Sequence, residues 1–264
     1  MQLESWARSE IGLIRKSNQD AVGVYLDLGV FILADGMGGH ASGEVASRLA
    51  VDAIHDALRR SGIDNTSSSS LGARMARVFG RPPAAVDTQA ALRAALEHAN
   101  STIVQAGTKL PGGPSQRSMG STAVVLIIAT HDAHAAFAHV GDSRLYRLRS
   151  DELVLLTADD TLPGDQYRGQ ATIPTDLPHT NVLLQALGTD ATVDVTVGTV
   201  AIQPRDLFLL CSDGVSGMVS AAFIQETLQT APTLEAAGQA LIRGALDAGG
   251  RDNASLILVR VTSE

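Results

Sequence analysis

The sequence predicts an α+β fold in which two antiparallel β-sheets pack face to face and helices flank both sides. Three observations lead there. The elements run strands, two helices, more strands, two helices and a closing strand, which is not the strand–helix alternation of a parallel sheet. The gaps between the strands within 121–157 have the length of hairpin turns rather than of crossovers. The apolar content, 45% of 264 residues with only 3% aromatic, describes a core of Ala, Val, Leu and Ile large enough for a sizeable domain.

Taken in order, residues 3–14 read as a strand and a turn. Residues 21–28 and 30–34 read as two strands joined at Asp27–Gly29, with valines, Tyr25 and Phe31 favouring strand over helix. A helix is expected over 42–61. Ser42 can cap it, Gly62 stops it, and Ala46, Leu49, Ala50, Ala53, Ile54, Ala57 and Leu58 fall on one face. Residues 64–87, with the serines 67–70 and Pro82-Pro83, break this periodicity and are expected to form a surface loop insert. A second helix spans 88–107, and Gly112, Gly113 and Pro114 mark a loop. Strands follow at 121–129, 134–140, 144–149 and 153–157. Residues 159–187, rich in Pro, Gly and polar side chains, are expected to form a flap. Strands return at 192–202 and 207–211, helices at 221–230 and 234–248, and a last strand at 254–261. With no repeat and no second apolar core, residues 1–264 read as a single domain.

Charge narrows the function. The formal charge is −8, with 20 Asp against 8 Glu and 18 Arg against 2 Lys. Asp favours caps, turns and strand ends over helix interiors, so the acidity is expected in loops and ligand sites, with codon usage accounting for the rest of both imbalances. The pI of about 5.3 argues against nucleic acid or an anionic membrane as the main partner. The longest apolar run, 123–129, is too short to span a bilayer, and the first residues lack the basic-then-apolar pattern of a signal peptide. A single Cys makes no internal disulfide, which fits the cytoplasm. A monomer is the default expectation. Neither Lys16 nor Lys109 follows a Gly, so there is no P-loop. No Asp-x-Asp pair and no His-Glu-x-x-His run exists, and position 217, six after Cys211, is Gly rather than the Arg of a Cys-based phosphatase.

The informative aspartates share a local grammar. The strand Val30–Ala34 ends in Asp35-Gly36, and the strand Leu207–Cys211 runs through Ser212 into Asp213-Gly214. Asp142 closes another strand, Asp252-Asn253 opens the last one, and Asn18-Gln19-Asp20 precedes the second. Strand ends are rigid, and a following Gly admits close approach of backbone or ligand. Carboxylates converging there repel one another unless they are protonated or hold a cation, and a hard divalent ion suits an all-oxygen set. Any single Asp-Gly is ordinarily a turn. On residue types alone a turn set and a two-metal site both remain open.

In combination these stretches resemble the metal-dependent protein phosphatases, the protein phosphatase 2C family, and its short bacterial members most of all. The resemblance rests on Gly12 through Arg15 to Asp20, Asp35-Gly36-Met37-Gly38-Gly39-His40, Gly120-Ser121-Thr122, Gly141-Asp142-Ser143-Arg144, Ser212-Asp213-Gly214 and Gly250-Arg251-Asp252-Asn253. It implies a β-sandwich flanked by helices and a binuclear Mn²⁺ or Mg²⁺ centre that hydrolyses phosphoserine and phosphothreonine in proteins. It also implies a cytoplasmic bacterial Ser/Thr kinase as the opponent. By position, Asp20 and Asp35 bind metal with Asp35 bridging, and the Gly36 carbonyl serves one ion. Asp213 and Asp252 hold the other. Asp142 with Asp213 provides a weaker third position, and Arg15 holds the substrate phosphate. A metal-activated hydroxide then replaces any side-chain nucleophile, and His40 is the candidate proton donor to the leaving group. His139 and Cys211 are expected to be structural, and Thr122 to line the cleft. The sequence departs from the family pattern at Asp160, where bacterial relatives usually have His, and in the length of 64–87 and the composition of 159–187. Asp160 is grouped with the residues expected to face the cleft. Two alternatives stay open: a catalytically weak phosphoprotein-binding regulator, and a hydrolase of small phosphoesters, both on the same fold.

Overall fold

Strand β3 (Val30–Gly38) contributes to two cores from one ribbon. Val30, Ile32 and Ala34 join one apolar cluster and Phe31 and Leu33 another, and all five side chains are fully buried. The pattern recurs in β5 (Ala123–Ala129), with Ala123, Val125 and Ile127 on one face and Val124, Leu126 and Ile128 on the other. Such continuous apolar runs require a sheet covered on both faces, and here helices supply the second cover.

The computed structural model describes residues 1–38, 42–63, 86–109, 119–161 and 182–263. One sheet has the order β2 (Asp20–Tyr25), β3, β5, β6 (His134–Val140), β9 (Thr196–Ala201), with β4 (Met119–Ser121) on the end of β3. The other has the order β1 (Gln2–Glu10), β11 (Ala254–Thr262), β10 (Leu207–Cys211), β7 (Arg144–Arg149), β8 (Glu152–Leu155). Every pairing in both is antiparallel. Between them lie Phe31, Leu126 and Phe137 from one side and Phe208, Leu210, Ile257 and Val259 from the other. Helices α1 (Ser42–Arg60) and α2 (Thr88–Thr108) cover the outer face of the first sheet. A one-turn helix, α3 (Asp213–Ser216), follows β10. Helices α4 (Ala221–Thr230) and α5 (Leu234–Asp247) cover the second sheet. Trp6 lies flat enough on α5 that a Cβ at Gly238 would stand 2.0 Å from its ring. Asp87, Ser220 and Thr233 cap α2, α4 and α5 by accepting backbone N–H bonds at 3.0–3.2 Å. The expected α+β sandwich is therefore the observed architecture.

The differences from expectation cluster at one end of the sandwich. The strand read within 3–14 ends at Glu10, and the turn expected after it is part of a loop over 11–19. The strand expected to end at Ala34 runs on to Gly38, because β4 pairs with its extension from Gly36↔Ser121 to Gly38↔Met119. The strand expected to begin at 192 begins at Thr196, and α3 was not anticipated. Residues 64–85 of the expected insert and 162–181 of the expected flap lie outside the described residues. The flap's two ends are fixed by the isolated pairs Thr161↔Leu183 and Ser121↔Leu187. Among the described residues no helix is long and apolar enough to cross a membrane.

The inter-sheet layer holds the two halves together, so Phe208→Ala is expected to lower the unfolding free energy of the metal-free protein by about 3–5 kcal/mol. Urea unfolding followed by circular dichroism checks this, and a loss under about 1 kcal/mol would show that the layer collapses around the missing ring.

Candidate metal centre and active site

The aspartates singled out in the sequence come from both sheets. Asp20 and Asp35 are directly paired across β2 and β3. Asp142 stands in the turn between β6 and β7, Asp213 opens α3 after β10, and Asp252 precedes β11. Asp20, Asp142 and Asp213 are each influenced by the charges of others in the set, and Asp35 feels all four.

Close backbone approach explains the glycines. A Cβ on Gly36 would meet Gly43 O at 2.0 Å and Gln19 O at 2.6 Å, and one on Gly214 would meet Asn253 O at 1.9 Å. Both Asp-Gly steps thus let a neighbouring main chain press against the strand end. Asn253 does the rest from the other sheet. Its Nδ2 donates to Ile11 O at 2.9 Å and Ser17 O at 3.0 Å, and its Oδ1 accepts the Gln19 N–H at 2.8 Å. The loop carrying Arg15 and Asp20 is thereby fixed to the loop carrying Asp252.

Hydroxyls hold the carboxylates from behind. Ser212 Oγ donates to Asp20 Oδ2 at 2.9 Å. The Asp35 N–H donates to Thr122 Oγ1 at 3.0 Å, and that hydroxyl is 2.7 Å from Ser143 Oγ, next to Asp142. Thr122, expected to line the cleft, is buried and braces two carboxylate-bearing segments at once. Asp160 is tied to the turn that carries Asp142. Its Oδ2 accepts the Gly141 N–H at 2.8 Å and Gln185 Nε2 at 3.0 Å, while its own N–H donates to Gly141 O at 3.0 Å. It clamps the turn that carries Asp142. The adjacent Asp159 forms a buried two-pronged ion pair with Arg144, Nε–Oδ1 3.0 Å and Nη2–Oδ2 2.7 Å. Sequence reasoning missed Asn253, Ser212 and this Arg144–Asp159 pair as parts of the site's frame. Only the position of Asn253, directly after a candidate ligand, signalled it.

Arg15 lies half exposed at the edge of the cluster, with Nη2 2.5 Å from Asp252 Oδ2. This hydrogen bond holds its pKa above the ordinary value, with Asp35 and Asp213 adding attraction. His40 lies outside the described residues. His139 and Cys211 are buried in the sandwich as expected, with burial pushing the Cys211 thiol up to about 12.

The electrostatics are those of crowded like charges. Burial pushes Asp20 up to about 6, with repulsion from Asp213 and Asp252 adding to it and bonds from Ser255 and Ser212 opposing it. Burial pushes Asp142 to about 7, with help from Asp213 and Asp159. Asp35 is raised well above the carboxylate range by burial and by its four neighbours. Asp213 is raised by burial and Asp252. Asp20 Oδ1 and Asp213 Oδ1 are buried and lack any hydrogen-bond partner. An orphaned carboxylate oxygen in such a place is costly unless a proton or a cation satisfies it. Among the described residues no three His, Cys, Asp or Glu side chains already stand in a closed ligand arrangement. The donor set, all oxygen, fits hard divalent cations.

Comparison with known proteins gives the same direction. The family model described as Protein phosphatase 2C matches residues 15–247. The serine/threonine phosphatase stp of Listeria innocua is 33% identical over 96% of this chain and 93% of its own. Protein phosphatase PhpP of Streptococcus pneumoniae is 30% identical over 97% and 96%. Among solved structures, the serine/threonine phosphatase PstP/Ppp of Mycobacterium tuberculosis superposes with a TM-score of 0.80, at 31% identity and covering 100% of both chains. The catalytic domain of PstP in complex with two manganese ions superposes with a TM-score of 0.76, at 32% identity and covering 99% of both.

A carboxylate whose folded pKa lies above its unfolded value of about 3.9 binds more protons in the folded state. The metal-free protein is therefore expected to be most stable near the unfolded value, and to lose stability as pH rises through about 6 and about 7. Calorimetric melting after chelation should show a falling melting temperature from pH 5 to pH 8. Mn²⁺ should restore more at pH 8 than at pH 5, and a metal-free melting temperature that rises across this range would contradict the crowded-carboxylate reading.

Proposed function

The chain belongs to the protein phosphatase 2C family, a metal-dependent protein serine/threonine phosphatase, and from that footing we infer how its own residues divide the work. The observation that carries the reading is the pair of orphaned buried oxygens on Asp20 and Asp213, inside a set of aspartates raised by burial and mutual repulsion. Asp20 and Asp35 would hold one divalent cation together with the Gly36 carbonyl. Asp213 and Asp252 would hold the other, with Asp35 between the two. Asp142 with Asp213 would provide a third, weaker position. Bound cations supply a water acidified toward neutral pH and offset the charge of a phosphate entering among carboxylates. Manganese is favoured by the two ions of the PstP complex, and the all-oxygen donors suit magnesium as well.

Arg15 would orient the phosphate. Its planar fork donates two parallel bonds to phosphate oxygens, and its anchor on Asp252 keeps it at the edge of the cluster. Ser212 orients the Asp20 carboxylate, Thr122 anchors the Asp35 backbone, and Asp160 holds the Asp142 turn. His40 would give the proton that the departing serine or threonine oxygen needs. The substrates are phosphorylated proteins. We place the opponent as a bacterial Ser/Thr kinase and the activity in the cytoplasm, readings supported by the bacterial phosphatases to which the chain is similar and by its one buried free thiol. The whole of 1–264 would act as one catalytic domain.

Phosphate release from a phosphothreonine peptide at neutral pH is expected to require Mn²⁺ or Mg²⁺. Asp213→Ala should cut turnover by about a thousandfold or more and weaken Mn²⁺ binding measured by titration calorimetry. An unchanged Mn²⁺ affinity in that variant would remove Asp213 from the ligand set. Arg15→Ala should act mainly on KM, raising it by about tenfold, the size of a charged hydrogen bond lost to the phosphate.

A further inference from the structure

Residues 11–14 contradict the usual fate of aliphatic side chains. Leu13 and Ile14 are 65% and 68% exposed, and Ile11 is partly exposed beside them. Their exposure is not the looseness of an untied loop. The Leu13 N–H donates to Gly250 O at 2.8 Å. Gly12 sits at φ +80°, where a Cβ would stand 2.2 Å from Asp252 O. Asn253 grips Ile11 O and Ser17 O on either side. The backbone is therefore held against the Asp252 loop in a turn that presents two large apolar side chains to solvent, directly before Arg15.

A second apolar pair lies in the segment bonded to Asp160, next to the Asp142 turn. Val182 and Leu184 are 46% and 52% exposed. The Leu184 N–H donates to Asp160 O at 2.7 Å, and Asp160 is bonded to Gly141, beside Asp142. Gln185 fixes the segment further, with Nε2 on Asp160 Oδ2 and on Asp194 O, and Oε1 accepting the Asp194 N–H. Each exposed pair is thus tied by its own backbone to a loop that carries a cluster carboxylate, Asp252 for one and Asp142 for the other. Exposed apolar side chains held by backbone bonds beside a functional site are placed to meet an incoming chain.

We propose that these two pairs form an apolar ledge on either side of the phosphate position, and that this phosphatase selects phosphoserine or phosphothreonine flanked by aliphatic residues. The proposal rests on the reading of Arg15 and the carboxylates as the phosphate site. A peptide carrying Leu, Ile or Val around the phosphoresidue would bury those side chains on Leu13 and Ile14 or on Val182 and Leu184. A peptide carrying polar neighbours would gain no such burial.

The test compares two phosphothreonine peptides of equal length, one with Leu and Val flanking the phosphoresidue and one with Gln and Ser, using the whole chain with Mn²⁺. Wild type is expected to favour the aliphatic peptide by about tenfold or more in kcat/KM, expressed mainly in KM, as burial of one or two aliphatic side chains implies. In Leu13→Ser/Ile14→Ser, and separately in Val182→Ser/Leu184→Ser, the ratio between the two peptides should fall several-fold toward unity. A general loss of folding or metal would lower both peptides equally and leave the ratio where it was. No preference in wild type, or a ratio unmoved in both double variants, overturns the ledge. Hydrolysis of p-nitrophenyl phosphate by wild type tests the underlying site separately, because that substrate has no flanking residues. If it fails, the phosphate site itself is wrong, whereas success with no peptide preference overturns the ledge alone.

Discussion

Five carboxylates, Asp20, Asp35, Asp142, Asp213 and Asp252, are brought from both sheets to one end of a β-sandwich, where Arg15 pairs with Asp252 and the charge of Arg144 partly offsets that of Asp142. Their mutual repulsion and desolvation favour protonation of Asp20, Asp35, Asp142 and Asp213 when no cation is present. An arrangement so unfavourable on its own persists because the rest of the fold over-determines it. Two divalent cations would halve the chain's formal charge of −8 and remove the conflict at its source.

The over-determination comes from short polar links between rigid strands. Asn253 fastens the β1–β2 loop to the β11 entry, Ser212 reaches from β10 to Asp20, and Thr122 joins Asp35 to the Asp142 turn. Asp160 extends the same frame to residues 182–185. A site built this way is positioned by the sandwich core, in which Leu33 and Leu210 precede Asp35 and Ser212 by two residues. The apolar ledge follows from the same frame. The backbone bonds that hold Asp252 and Asp142 also leave Leu13, Ile14, Val182 and Leu184 facing outward.

Much of this was legible in the sequence because it obeys local rules. The continuous apolar runs Val30–Ala34 and Ala123–Ala129 identify strands, and two apolar strands running into Asp-Gly point to a shared end. The frame was not legible, since it is made of contacts between residues far apart in the chain. Asp159 and Asp160 are two adjacent acids in sequence. One pairs with Arg144 in the interior and the other clamps Gly141, and nothing local separates the two roles. Residues 11–14 read only as part of a strand and a turn, because periodicity cannot see that Gly12 adopts a positive φ against Asp252. The extension of β3 to Gly38 likewise depends on a partner, β4, that lies more than 80 residues away in the chain.

The most direct measurement is a crystal structure of the protein grown with Mn²⁺, with data collected at the manganese absorption edge. Two anomalous peaks should appear at the strand ends, about 3.5–4 Å apart, with Asp35 between them. The two oxygens that now lack partners, Asp20 Oδ1 and Asp213 Oδ1, should be within ligand distance. Peaks confined to other acidic residues, or a cluster whose orphaned oxygens stay uncoordinated at saturating Mn²⁺, would contradict the claim that these crowded carboxylates exist to hold cations.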